Sequence, residues 1–222
     1  MTYTINTTTW RSPNYNSRGG EPIGSIVVHS CEGSLPEPKK SSLPWLCNPT
    51  SGVSCHYYVC RDTKIYQLVA DTYQAWHAGK AVTAYQNPRS IGIECEHRSG
   101  QDWPAAQKDA LSWLIKQVIA AHHITVPMID THGQIALPGP YDRKVDPSDW
   151  PHVDFIAWRD AQFTQPTHYR VMGLPVYQRS DRTGPLWGHL SHDEPVTIDD
   201  PNNGHLADGR GFVDVNGLVP QP

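Results

Sequence analysis

Ser90-Ile91-Gly92-Ile93-Glu94-Cys95-Glu96, followed beyond Pro104 by Leu111, Leu114, Ile115, Val118, Ile119 and His122 at helical spacing, decides the fold class of this 222-residue chain. The first stretch alternates with period two, the signature of a strand, and sets Gly92, Glu94 and Glu96 on one face. The second is an amphipathic helix with Asp102 as its expected cap. Strands are also expected at 24–29, 54–60 and 64–69 from their aliphatic, aromatic or alternating character. A second helix is expected from Pro151 through Ala161, with Val153, Ile156 and Ala157 facing inward. Strands interleaved with helices predict an α/β domain with a mixed central sheet flanked by helices. The Pro-rich, polar segment from Glu32 to Gly52 reads as a loop-rich insertion with one helical turn, walling a groove.

Around Thr164-Gln165-Pro166-Thr167 the composition changes, and no helical pattern follows. The expected division is a first domain at 1–163, a linker at 164–167 and a second domain at 168–222. The second holds short apolar runs, among them Tyr169-Arg170-Val171, Leu174-Pro175-Val176-Tyr177 and Gly211-Phe212-Val213-Asp214-Val215, separated by turn residues. That pattern predicts a small all-β barrel. Its aromatics Tyr177, Trp187 and Phe212 are candidate ligand contacts, though aromatics in a small barrel also build cores.

Composition narrows the function. Hydrophobic residues at 38% and charged residues at 18% describe a globular chain. A net charge of −4 without a basic cluster gives no nucleic-acid footprint. No apolar run of about 18 residues suggests membrane insertion. Met1-Thr2-Tyr3-Thr4-Ile5-Asn6 lacks a basic start and an apolar segment, so no secretory signal is expected and synthesis is placed in the cytoplasm. Five cysteines, an odd number, are then expected as thiols.

Three distant residues stand out. His29 ends the apolar run Ile26-Val27-Val28, His132 opens Thr131-His132-Gly133-Gln134-Ile135-Ala136, and Asp146 closes Asp142-Arg143-Lys144-Val145-Asp146. A catalytic zinc takes three nitrogen, oxygen or sulfur ligands and keeps a fourth position for water, a need that two histidines and a carboxylate would meet. Neither HExxH nor CxxC occurs, so only the fold could assemble such a site, and spacing alone leaves the grouping open. Taken singly, a histidine closing a strand is more often a hydrogen-bonded structural residue, and an aspartate before Pro147 is a turn former.

Five segments in order give the grouping its weight: Ile26-Val27-Val28-His29-Ser30, Val53-Ser54-Cys55-His56-Tyr57-Tyr58-Val59, Ala75-Trp76-His77-Ala78-Gly79, Ser90-Ile91-Gly92-Ile93-Glu94, and His132 through Asp146. Together they resemble the zinc-dependent type 2 N-acetylmuramoyl-L-alanine amidases, which share the peptidoglycan recognition protein fold. The resemblance implies one zinc ion held by His29, His132 and Asp146, with Glu94 as general base then acid and Lys144 as oxyanion stabiliser. Glu96 competes with Glu94 for the first role. His77 resembles a groove position that touches the muropeptide, and Trp76 beside it is a second candidate contact, though large aromatics usually pack, whereas His56 reads as a satisfied interior imidazole. Cys55 stands where some phage-type members have a tyrosine, and Asp146 where many of those have a cysteine; both differences suit relatives that use a catalytic glutamate. The stretch Leu137-Pro138-Gly139-Pro140-Tyr141 is longer than in compact relatives.

The tail, with its Gly173-Leu174-Pro175-Val176-Tyr177 opening and Gly211-Phe212-Val213-Asp214-Val215 close, is similar to bacterial SH3-like modules. The whole then implies a monomeric phage or prophage endolysin that acts on bacterial peptidoglycan after release to the wall. A cytosolic amidase recycling anhydro-muropeptides and a non-catalytic peptidoglycan recognition protein are the alternatives.

Overall fold

A computed structural model of the chain describes residues 3–32 and 38–163 and, beyond them, the backbone of six strands between residues 168 and 220. It divides into two compact units, 1–163 and 164–222.

In the first unit a mixed six-stranded sheet runs β1-β5-β4-β7-β3-β8. Its strands are β1 (Ile5–Asn6), β3 (Ser25–Ser30), β4 (Tyr57–Val59), β5 (Ile65–Gln67), β7 (Ser90–Cys95) and β8 (Ile129–Thr131), while β2 (Tyr15–Ser17) and β6 (Tyr73–Ala75) pair separately. β3 lies between two parallel neighbours, β7 and β8, and β7 is also parallel to β4. Every residue of β3 is buried, and β7 is buried except for half-buried Glu94. Strands covered on both faces are expected to be rich in apolar residues, as Ile26, Val27, Val28, Ile91 and Ile93 are. One face of this pair carries Ile26, Val28, Ile91, Ile93 and Cys95 into the main core. There they meet Leu111, Leu114, Ile115 and Val118 of α2 (Ala105–His122). Each such aliphatic side chain contributes about 1.5–3 kcal/mol by leaving water. The opposite face packs Val27 against Ala78, Ala81 and Ile135 and carries the polar residues considered below.

Three expectations need correction. Asp102 does not cap α2: Pro104 stands at the cap position without a side-chain bond, and Asp102 accepts instead from Arg61 at 2.8 Å. The last helix of the unit, α4 (His152–Phe163), buries Phe155, Arg159 and Phe163, whereas Val153 is 72% exposed and Ala157 also faces out. The buried set recurs every fourth residue, and Arg159 can join it because its guanidinium donates to the Ile129 carbonyl and pairs with Asp160. Between Glu32 and Gly52 the chain forms a nine-residue helix, α1 (Pro38–Leu46), rather than a single turn. Burial of Leu43 and Leu46 against Cys55, Tyr58 and Leu68 outweighs the helix-breaking tendency of Pro44. No disulfide links the cysteines, and no helix among the described residues is long and apolar enough to cross a membrane.

The second unit is described by strands alone: β9 (His168–Met172), β10 (Pro175–Tyr177), β11 (Leu186–His189), β12 (His192–Asp200), β13 (His205–Leu206) and β14 (Leu218–Pro220). They form a four-stranded sheet, β13-β12-β9-β14, and a β10-β11 pair, all antiparallel. Tyr177 and Trp187 lie on β10 and β11, while Phe212 and the 164–167 linker lie outside the described residues.

The α4 face is testable by denaturant unfolding. Phe155→Ala is expected to cost about 3–5 kcal/mol, while Val153→Ala should stay within about 0.5 kcal/mol of the parent. Equal effects would mean that the helix presents another face to the core.

Candidate metal centre and catalytic cleft

Parallel pairing brings the carboxyl ends of β7, β3 and β8 side by side, the usual place for a site in an open α/β sheet. His29 is the fifth residue of β3 and pairs in register with Glu94 of β7. On the other flank Val28 pairs with Thr131, so His132, first residue of the short helix α3 (His132–Ile135), emerges beside His29. Asp146 arrives on a loop tied by three bonds. The Gly133 N–H donates to the Asp146 carbonyl at 2.8 Å. The Ser148 N–H donates to Ser30 Oγ at 3.0 Å, and the Trp103 indole donates to the Ser148 carbonyl at 2.9 Å.

The result is a tight trio. His29 Nδ1 and His132 Nδ1 lie 3.0 Å apart, and each is 3.1 Å from Asp146 Oδ2. Both histidines are buried, and the side chain of Asp146 is 13% exposed. Among the described residues this is the group of histidine, cysteine and carboxylate side chains that could hold a metal ion. Tetrahedral zinc with bonds of about 2.0–2.1 Å sets its ligand atoms roughly 3.3 Å apart, close to the spacing here. The far ring nitrogens are occupied: His132 Nε2 donates to the Ala78 carbonyl at 3.2 Å, and His29 Nε2 lies 3.1 Å from His77 Nδ1. Such partners around a ligand histidine are a usual part of a metal site. Burial, reinforced by neighbouring His132, lowers the His29 pKa to about 4, so the ring is neutral and able to ligate at neutral pH. Burial alone would raise the Asp146 carboxyl, but contacts with the His132 and His29 rings outweigh it and hold it well below the usual range. Two histidine nitrogens and a carboxylate oxygen suit zinc.

These residues line a cleft of about 650 Å³ together with Glu94, Lys144, Trp76 and Trp45 of α1. Glu94 Oε2 is buried without a hydrogen-bond partner. Burial first, and then the charge of Asp146, raise the Glu94 pKa to about 8, while the charge of Lys144 opposes the rise. Glu96 is turned elsewhere: its carboxylate accepts from the Arg61 N–H at 3.0 Å, and it does not line the cleft. Trp76 is half-buried on the cleft wall, its indole N–H donating to Asn16 Oδ1 at 2.6 Å. His77 is buried against His29 and borders the cleft. His56 is fully buried, accepting from the Gly92 N–H at 3.0 Å. Cys31 lies on the cleft wall, its sulfur 3.3 Å from the Tyr58 hydroxyl and outside the trio.

Sequence reasoning set Gly92 on the Glu94 face of β7 without giving it a role, and missed Ser90 on the same face. A Cβ at Gly92 would stand 2.4 Å from the His77 ring. Glycine inside a strand marks such a close approach, and that signal was available. Arg143 was also missed. Its guanidinium donates to the carbonyls of Leu137 at 3.1 Å and Lys80 at 2.7 Å, stapling two loops at the cleft rim.

Residues 19–149 match the model of the N-acetylmuramoyl-L-alanine amidase family. The chain belongs to that family. It is 33% identical over 112 residues to N-acetylmuramoyl-L-alanine amidase A of Achromobacter lyticus, a match covering 49% of this chain and 58% of that one. With N-acetylmuramoyl-L-alanine amidase XlyA of Bacillus subtilis (strain 168) it shares 39% identity over 121 residues, 53% of this chain and 39% of that one. These matches span about half of this chain and less than two thirds of either relative. Among solved structures, a selenomethionine derivative of AmpD superposes with a TM-score of 0.57 at 27% identity, covering 74% of this chain and 100% of that one. The catalytic domain of XlyA gives 0.51 at 25% identity, covering 72% and 98%.

The Arg143 staple can be tested without any substrate. Arg143→Ala is expected to speed amide hydrogen exchange at Leu137, whose N–H donates to the Lys80 carbonyl at 3.0 Å, by on the order of tenfold, with the centre of α2 unchanged. Unaltered exchange at Leu137 would show that the rim holds itself without Arg143.

Proposed function

We propose that this protein is a zinc-dependent peptidoglycan hydrolase that cleaves the amide between the lactyl group of N-acetylmuramic acid and L-alanine. Family membership supports the reaction class. One observation carries the mechanistic reading: an unpartnered, buried Glu94 oxygen lies in the same cleft as the His29, His132 and Asp146 trio. A buried carboxylate oxygen without a partner is costly and is seldom kept without a use.

In this reading His29, His132 and Asp146 hold the zinc ion. When bound, zinc supplies Lewis-acid chemistry, activating water at neutral pH and polarising the scissile carbonyl. Glu94 takes the proton of the attacking water at its free oxygen and hands it to the departing amine of L-alanine. Its raised pKa suits a group that must both accept and return a proton near neutrality. Lys144, half-buried on the cleft wall, stabilises the negative charge that develops on the carbonyl oxygen. Trp76 offers an aromatic surface to the muropeptide, and His77 borders the same cleft.

Residues 168–222 are proposed as an SH3-like module that holds the chain on the cell wall, their all-antiparallel strand pattern supporting an all-β unit. With that module the protein reads as a modular phage or prophage endolysin, made in the cytoplasm, released to the wall and working as a monomer. Such an enzyme should turn over intact sacculi faster than soluble anhydro-muropeptides, and the reverse preference would assign it to recycling.

Incubation with intact peptidoglycan, with and without a chelator, tests the reaction. New L-alanine amino groups that vanish with chelator, without new reducing sugar ends, are the expected result. Wall binding without released amines would make it a recognition protein, and reducing ends alone would make it a glycosidase. Within the site, Glu94→Gln is expected to reduce turnover at least a hundredfold, of the order seen when a general acid–base is removed, while keeping stoichiometric zinc. Full activity in that variant would move the role to another carboxylate. Lys144→Ala should lower kcat by on the order of a hundredfold with folding unchanged; an unaltered kcat removes it from the mechanism.

A further inference from the structure

We propose that His77 is a positioning residue: it accepts the Nε2 proton of His29 and so locks His29 in the tautomer whose Nδ1 lone pair faces His132 and Asp146. The inference rests on the reading of that trio as a zinc site.

The direction of each hydrogen bond follows from the far end of the chain. Ser90 Oγ lies 3.0 Å from the carbonyls of Tyr85 and Gln86, which can only accept, so the hydroxyl proton is committed to them. The serine oxygen therefore meets His77 Nε2, 3.1 Å away, as an acceptor, and that nitrogen carries the His77 proton. The ring also meets His56 edge-on and closes over Gly92, neither of which offers its nitrogens another hydrogen-bond partner. Its Nδ1 is then a bare acceptor, 3.1 Å from His29 Nε2, which must donate. One proton per neutral ring leaves His29 Nδ1 open toward the trio. The second histidine is set in the same way, because His132 Nε2 donates to the carbonyl of Ala78, the residue next to His77. Asn87 Oδ1 holds this dipeptide by accepting from the His77 N–H at 3.2 Å and the Ala78 N–H at 2.8 Å.

Two consequences separate this role from a muropeptide contact. Both His77 nitrogens are engaged inside the protein, so only ring carbon remains to meet a ligand. The seat itself is cut to fit, since any side chain on Gly92 would overlap the ring.

Nitrogen-15 histidine correlation spectra of the full, metal-free chain at neutral pH test the tautomer directly, and chelator competition measures zinc affinity. The expected results are a His29 protonated at Nε2, and a zinc affinity in His77→Phe lower by roughly 10–100-fold at an unchanged metal-free unfolding midpoint. His77→Asn, whose amide oxygen takes the place of Nδ1, should recover affinity to within a few-fold of the parent. A parent His29 protonated at Nδ1, or a His77→Phe affinity within about twofold of the parent, overturns the proposal. The tautomer in the parent decides the matter even where a variant does not fold. Failure of the parent to bind zinc at all would instead sink the metal assignment, and the spectra would still report on His77.

Discussion

Everything at the cleft depends on the parallel pairing of β7, β3 and β8. Because β3 is hydrogen-bonded on both sides, its fifth residue can have only one set of neighbours, Glu94 on one flank and the residue after Thr131 on the other. A slip of one residue on β3 would turn Val28 toward the cleft and His29 into the packing with α2. The buried apolar face that forbids the slip is therefore what aligns the polar one. Packing and chemistry are not separate layers here, because the same strands carry both in alternation.

The polar face has an unusual electrostatic character. Two ring nitrogens and a carboxylate oxygen converge within about 3 Å of one another, and a further carboxylate oxygen, Glu94 Oε2, is buried in the same cleft without a partner. A protein interior normally pairs a buried carboxylate oxygen, and leaving that of Glu94 unpaired is destabilising. The surroundings hold rather than relieve the arrangement. The Asp146 loop is tied to Ser30 and Trp103, and the two rings are pinned from behind by residues 77 and 78. A cation at the centre of the trio could draw on all three atoms at once.

Much of the fold could be read from the chain, for identifiable reasons. The α2 stripe is long, periodic and free of Gly and Pro, the β3 run is continuously apolar and β7 alternates, so local pattern and tertiary burial agree. Where they disagree, reading failed. Val153 and Ala157 look apolar but face water, because Phe155, Arg159 and Phe163 form the stripe that the sheet accepts, and a buried arginine is invisible to a hydrophobic pattern. Asp102 looks like a cap but sits beside Arg61, which is remote in sequence. At the site, His29, Glu94, His132 and Asp146 were grouped by family motif, since their adjacency is created by strand register and leaves no trace in spacing. Ser90 and the packing role of Gly92 leave little trace in charge or hydropathy, although a glycine inside a buried strand is itself a signal of crowding.

The division of β7 into two faces also bears on how such a protein can diverge. Ile91, Ile93 and Cys95 meet other apolar side chains, so they can drift among residues of similar volume with modest compensation across the core. Ser90 and Gly92 have no such freedom, for the first is matched to His77 Nε2 and the second to the His77 ring, and a Glu94 oxygen is buried in the cleft without a partner. Within a single six-residue segment, mutational tolerance should thus rise and fall with a period of two. A lineage that relaxed the odd pattern would trade stability, whereas one that relaxed the even pattern would rebuild the polar face beside the cleft while keeping its shape.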